Sequence, residues 1–187
     1  MRAISNNYEN VKHEKAKYYS GGGYGTPSQS PHEACPAGKA YGDDCLARNC
    51  LYFGSPSFDA AERGGGIIDI FVGRNFINYG SVLCNGSDGM QFGGSSGGSI
   101  KIVAANFVNF GNIRAEGGKG AVYQRKGSKR KQVGTKGGDG RIFVVCSEFV
   151  NKGTISPAPV VVKLHDAEQM SKYGLSQIKS LGELMMF

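Results

Sequence analysis

Tryptophan is absent from this chain, proline occurs only six times in 187 residues, and long apolar runs are missing altogether. Each absence excludes something. A membrane-spanning helix needs ~20 consecutive apolar residues, so no membrane span is expected. Few prolines and no Gly-X-Y period exclude collagen and Pro/Gly-rich disorder, despite thirty glycines. The opening MRAISNNYENVKHEKAKYY lacks the apolar core of a secretory signal. The expectation is synthesis in the cytoplasm without such export, or release by another route such as lysis. Acidic residues are missing from one stretch in particular, Lys119 to Lys136. That stretch carries Lys119, Arg125, Lys126, Lys129, Arg130, Lys131 and Lys136. The chain holds 22 basic and 15 acidic residues, so its net charge of +7 resides in this one segment and the remainder is balanced.

What is present in excess is glycine, at roughly twice the usual ~7% of residues. The glycines punctuate three related segments, GGGIIDIFVGRNFINYGSV from Gly64, GGSIKIVAANFVNFGNI from Gly97 and GGDGRIFVVCSEFVNKGTI from Gly137. Each closes on Phe-[Ile/Val]-Asn-x-Gly-x-[Ile/Val], at Phe76–Val82, Phe107–Ile113 and Phe149–Ile155. Period-two alternation of β-branched residues, as at Ile68, Ile70 and Val72, predicts a strand with one buried face. Asn-x-Gly suits a tight corner, after which a second short strand begins. A strand-corner-strand unit cannot bury its apolar face alone, but stacked units can. The predicted fold is therefore mainly β: a short β-solenoid or β-helix of about three such repeats, with an antiparallel sandwich of hairpins as the alternative. Asn78, Asn109 and Asn151 would then either form a ladder or each satisfy its own turn.

The succession GGGIIDI, INYGSV, GGSSGGSIKI, FVNFGNIRAEGGKG, GGDGRIFV and FVNKGTISPAP resembles the glycine-rich β-helical domains of large surface, fibre and virion-associated proteins. The resemblance covers roughly Leu51–Pro159. It implies a structural or adhesive role and carries no catalytic residues. The cysteines, the basic insertion and the lack of an export signal depart from that pattern.

The chain divides at this stage into a polar, Cys-containing, irregular N-terminal arm over 1–50, a glycine-rich domain over 51–159 with a basic insertion at 119–136, and a C-terminal segment over 160–187. In the last, Asp166 suits an N-cap, and Leu175, Ile178, Leu181 and Leu184 follow at near-helical spacing. The expected amphipathic helix either caps the open end of the stack or docks on a partner.

Candidate chemistry is sparse. His32, Cys35, Cys45 and Cys50 are weak candidates for a tetrahedral zinc site, and a disulfide or free thiols are the other readings. Cys84 and Cys146 lie in or beside strands, as small buried hydrophobes do. GGSSGGSI from Gly93 and GKGAVYQRKGS from Gly118 do not match a phosphate loop. Asp43, Asp44, Asp69, Asp88 and Asp139 are the acids to weigh for glycoside hydrolysis, which requires two carboxylates facing across a groove. Asn85-Gly86-Ser87 forms a glycosylation sequon of the kind that arises by chance. The basic run offers Tyr123 alone as an aromatic platform. It is either a solvated loop or a contact with an acidic protein surface, a nucleic acid or another anionic surface. Together these readings lead to three expectations. The first is a non-enzymatic structural component without cofactor, held among other subunits of a virion or capsid lattice. The second is an extracellular surface or fibre module that binds glycan or host. The third is a nucleic-acid or anionic-surface binder working through the basic run.

Overall fold

The computed structural model describes residues 20–30, 37–43, 50–57, 63–124, 126, 127, 129, 131–173 and 175. The chain is mainly β, with parallel sheets. Strands β1 (Ile67–Asn78), β3 (Ser99–Asn109), β7 (Arg141–Cys146) and β10 (Val160–Lys163) lie side by side in that order. β8 (Glu148–Asn151) continues β7 alongside β3. A second sheet orders β2 (Ser81–Leu83), β4 (Asn112–Arg114) and β9 (Thr154–Ser156). All pairings in both sheets are parallel, which rules out the sandwich of antiparallel hairpins.

The three closing units meet in register. Phe76 pairs with Phe107 and Phe107 with Phe149, while Asn78 pairs with Asn109 and Asn109 with Asn151. The Phe rings stack at 5.4 and 5.0 Å between centroids. One irregularity intervenes: β1 bulges between Val72 and Asn75, and pairing resumes beyond it with the register shifted by one residue. The core between the two sheets is built on Ile100, Ile102, Phe107, Ile113, Ile142 and Val144, with Cys84 and Cys146 among them. Alternation alone cannot put both Ile102 and Phe107 inward. Each long strand therefore changes face near its middle, and the third copy breaks there at Ser147, whose N–H donates to the Ala105 carbonyl at 2.9 Å.

The corner asparagines do both things open to them. Asn78 Nδ2 donates to Asn109 Oδ1, and Asn109 Nδ2 donates to Asn151 Oδ1, each at 2.8 Å. Asn78 Oδ1 and Asn151 Oδ1 also accept from the N–H groups of Gly80 and Gly153 in their own turns. Asn109 is fully buried, so these bonds satisfy groups that water cannot reach.

The described part of the C-terminal segment covers the outer face of the first sheet. Helix α1 spans only Ala167–Lys172, capped by Asp166, which accepts from the Gln169 N–H. Leu175 lies beyond the helix and is buried with Val103, Ala105, Val145, Leu164 and Met170. The helical stripe expected to begin at Leu175 therefore does not begin there, because Leu175 folds onto the sheet after the chain has left the helix. Ile178, Leu181 and Leu184 lie outside the described residues.

The glycine-rich segments before the strands form a body of their own. Gly94 and Gly97 donate to Thr135 and Gly138 at 2.9 and 3.0 Å. Ser95 and Gly98 donate to Ser87 and Cys84 at 3.0 and 2.8 Å, and Ser96 donates to Ser55 at 3.0 Å. Successive amides thus point to three different neighbours, and the pattern recurs every third residue. That is the repeat of a three-residue-per-turn extended helix, which has no hydrogen bonds within itself and must find them outside. The carbonyls of Gly94, Ser95 and Ser96 accept in turn from Gly22, Gly118 and Gly65. Packing on all sides demands glycine. A Cβ on Gly134, Gly137 or Gly140 would fall 2.1, 2.1 and 2.0 Å from the carbonyl oxygens of Phe92, Ser95 and Gly98.

The described part of the N-terminal arm is threaded through this bundle rather than appended to it. Gly22 bonds both Gly94 and Gly138, and Thr26 N–H donates to the Asp139 carbonyl at 3.0 Å. Tyr24 is fully buried, its hydroxyl 2.6 Å from Ser99 Oγ and its ring 4.9 Å from that of Tyr41. The Arg141 guanidinium lies over the Tyr24 ring, bonds the Tyr41 carbonyl and pairs with Asp43.

Candidate functional site

The basic segment is a hairpin on a fixed base. Strands β5 (Val122–Gln124) and β6 (Lys131–Val133) pair antiparallel, with Val122 opposite Val133. At the base, Ala121 N–H donates to the Phe92 carbonyl at 2.9 Å and Gly134 N–H to the Ala121 carbonyl at 2.7 Å. The outer basic residues belong to that base. Lys119 donates its backbone N–H to Asp88 Oδ1 at 2.7 Å, and Lys136 Nζ pairs with Asp139 Oδ1 at 2.7 Å. Lys126, Lys129 and Lys131 are exposed at the far end. Arg125 and Arg130 lie outside the described residues. The insertion is thus an appendage only between its strands, and its two ends are part of the glycine bundle.

A second candidate surface is one edge of the two parallel sheets. Among the described residues, β1 and β2 are the outermost strands on one side of their sheets, opposite β10 and β9. Ile68, Ile70, Phe76 and Val82 are only half-buried there, although they belong to the same rows as the fully buried Ile100, Ile102, Phe107 and Ile113. Outward from them, Phe71 is 58% exposed, Tyr79 77% and Leu83 52%. Tyr79 stacks on Phe110 at 4.9 Å with the planes 3° apart, and Lys152 Nζ sits 5.6 Å from the Phe110 ring centre. The variable residue of Asn-x-Gly therefore lines up across the copies as Tyr79, Phe110 and Lys152, on the outside of the corner.

Three of the five carboxylates weighed for hydrolysis, Asp43, Asp88 and Asp139, are engaged locally. Asp139 Oδ1 accepts from Gly117 N–H at 2.9 Å as well as from Lys136. Asp88 accepts from Lys119, and Asp43 pairs with Arg141. Asp69 stands exposed on the edge strand β1, and Asp44 lies outside the described residues. A cleft of about 450 Å³ runs between the β7–β8 break and α1, lined by Ser147, Glu148, His165 and Asp166 among others. Within it Asp166 caps α1, and the backbone N–H of His165 donates to Gln169 Oε1 at 2.9 Å.

Of the proposed zinc ligands, His32, Cys35 and Cys45 lie outside the described residues. Cys50 is a free thiol that donates to Tyr52 Oη at 3.4 Å. Among the described residues no cluster of three or more His, Cys, Asp or Glu is placed to hold a metal ion. Cys84 and Cys146 are free and buried, and burial pushes both thiols up to about 11. Such thiols stay protonated at neutral pH and are poor nucleophiles. Among the described residues, no helix is long and apolar enough to cross a membrane.

Sequence reasoning missed the bundle, and the signal for it was available. Gly94 and Gly97, Gly117 and Gly120, and Gly134, Gly137 and Gly140 are spaced by three. Within each set every glycine faces the same neighbouring segment: 115–118, 134–137 and 92–98 respectively. It also missed the Tyr24, Tyr41 and Tyr52 cluster, because no local pattern links an irregular arm to a strand start. Compared with protein-family models, with curated proteins and with solved structures, the chain matches none.

Proposed function

We propose that this chain is a non-enzymatic structural component of a large assembly, such as a virion or capsid lattice, and that it works by protein–protein contact. In this reading the scaffold is a short β-solenoid of three strand-corner-strand copies, braced by the glycine bundle. The observation that carries it is the open end at β1 and β2, where apolar rows continue to the surface and stop. Terminal repeats of self-sufficient stacked proteins present polar outer faces, and long exposed edges invite another chain. Here the edge carries Phe71, Ile77, Tyr79 and Leu83, all exposed. The resemblance of Leu51–Pro159 to glycine-rich β-helical domains of surface, fibre and virion-associated proteins supports the same reading. So does the use of the recurring residues, since Gly, Phe, Ile and Asn serve close approach, core and corners.

Photo-crosslinking in the native source tests the proposal. A crosslinking residue at Ile77 or Tyr79 should join the chain to another protein in a fast-sedimenting particle, and one at the buried Val144 should not. A chain that sediments as a monomer without crosslinks, or that turns over a polysaccharide, nucleotide or peptide, contradicts it.

A further inference from the structure

We propose that the β5–β6 hairpin is a docking ribbon for the phosphate backbone of double-stranded DNA, a partner that the scaffold reading neither requires nor supplies. The first ground is placement. The hairpin's base is held by the Ala121 N–H, which donates to the Phe92 carbonyl at 2.9 Å, and Thr135 beside it accepts from Gly94 at 2.9 Å. Strands β5 and β6 therefore stand on a base tied by hydrogen bonds to the glycine bundle. The second ground is uncompensated charge. Lys136 is paired with Asp139, but Lys126, Lys129 and Lys131 are exposed and make no ion pair among the described residues. In the sequence Arg125 and Arg130 add two more charges to the same stretch, and no acidic residue occurs between Lys119 and Lys136.

Shape and composition then select among polyanions. Single-strand grooves interleave charge with a row of aromatic platforms, whereas this segment has Tyr123 alone. Membrane-surface elements bury an apolar face among lipid headgroups. Here the exposed Val122 and Val133 pair sits at the base beside the scaffold, and the end that would arrive first is basic and glycine-containing. A two-stranded ribbon fits the DNA major groove, ~12 Å wide. The deep, narrow major groove of A-form RNA does not admit one. Lysines and arginines at a turn reach phosphates, which hold a protein on the duplex without reading sequence. Binding is therefore sequence-independent and strongly salt-dependent.

The test is fluorescence anisotropy of the full chain with a labelled random-sequence 25-base-pair DNA. Five phosphate contacts by the basic side chains should give a slope of log K against log salt of about −4.5, a fall of roughly 500-fold between 50 and 200 mM. A variant carrying Arg125→Gln, Lys126→Gln, Lys129→Gln, Arg130→Gln and Lys131→Gln should lose this binding while melting like the parent. Polyglutamate and phosphatidylserine vesicles should compete poorly. No binding at 50 mM salt, a slope shallower than about −2, or binding retained by the Gln variant overturns the proposal. Tighter association with polyglutamate or with the vesicles than with the duplex overturns it as well. Because the assay uses the isolated chain, its failure leaves the structural reading untouched.

Discussion

Replacing Gly137 by alanine should unfold much of this molecule's stability, whereas replacing Gly66 should do almost nothing. A Cβ on Gly137 would lie 2.1 Å from the Ser95 carbonyl oxygen, 2.5 Å from its carbon and 2.8 Å from the Gly94 oxygen. Ordinary contact begins near 3.4 Å, and both obstacles are backbone. The segments on either side must therefore part by about 1 Å or more. They are joined by Gly94 to Thr135 and Gly97 to Gly138, at 2.9 and 3.0 Å. Stretching both by that amount takes them beyond hydrogen-bonding range. Buried groups left unpaired cost ~1–3 kcal/mol each, so the expected loss is roughly 2–6 kcal/mol. For a chain of this length that lowers Tm by very roughly 5–20 °C. Gly66 has nothing within 4 Å of its would-be Cβ, so Gly66→Ala should change stability by less than about 0.5 kcal/mol. Thermal melts followed by circular dichroism compare the two. Equal melting temperatures for Gly137→Ala and Gly66→Ala would refute the close-packing argument.

Asn109→Ala should cost about 2–4 kcal/mol in urea unfolding, because it leaves Asn78 Nδ2 and Asn151 Oδ1 without their 2.8 Å partners. Asn78→Ala, at the open end, should cost less. Cys84 and Cys146 should resist thiol reagents at pH 8 until urea unfolds the chain, as mapped by mass spectrometry. Their folded pKa near 11 lies above the unfolded value of ~8.5, so the folded state holds these protons more tightly. The stability they contribute is complete below about pH 8.5 and is lost as pH rises towards 11, seen as a falling urea midpoint. Deleting 125–130 should leave the melting temperature within about 2 °C of the parent, since it removes only the hairpin tip. Extending the deletion to Lys136 should collapse the melt, because Gly134 and Thr135 belong to the bundle.

The strands were legible in the sequence because their determinants are local and repeated. Phe76, Phe107 and Phe149 occupy the same place in units that agree over seven residues, and in-register stacking is the arrangement that buries all three. The corner asparagines were legible for the same reason, although whether they bond each other depends on the 2.8 Å spacing that stacking produces. The glycine bundle was not, because its logic lies between segments distant in sequence. Gly137 is required by Ser95, and Gly22 bonds Gly94 and Gly138. Composition marks residues 20–30 and the two ends of the basic segment as loops, while their backbones share hydrogen bonds with the bundle. Leu175 has helical spacing from Ile178, yet the chain leaves the helix at Lys172 and Leu175 completes the cover over Val103 and Val145. For the candidate surfaces, charge was readable at Lys126, Lys129 and Lys131. The exposure of Tyr79 and Phe71 was not, because it follows from β1 being the last strand of its sheet.

Amide hydrogen exchange measured by NMR tests most directly whether the glycine segments are ordered core rather than loop. Gly94, Ser95, Ser96, Gly97 and Gly98 lie in no strand or helix, yet each N–H donates to a backbone carbonyl at 2.8–3.0 Å inside the bundle. Their amides should exchange as slowly as those of Ile100 and Ile102 in β3, by way of the same global unfolding. Exchange of these five amides within minutes, with β3 still protected for hours, would contradict the account.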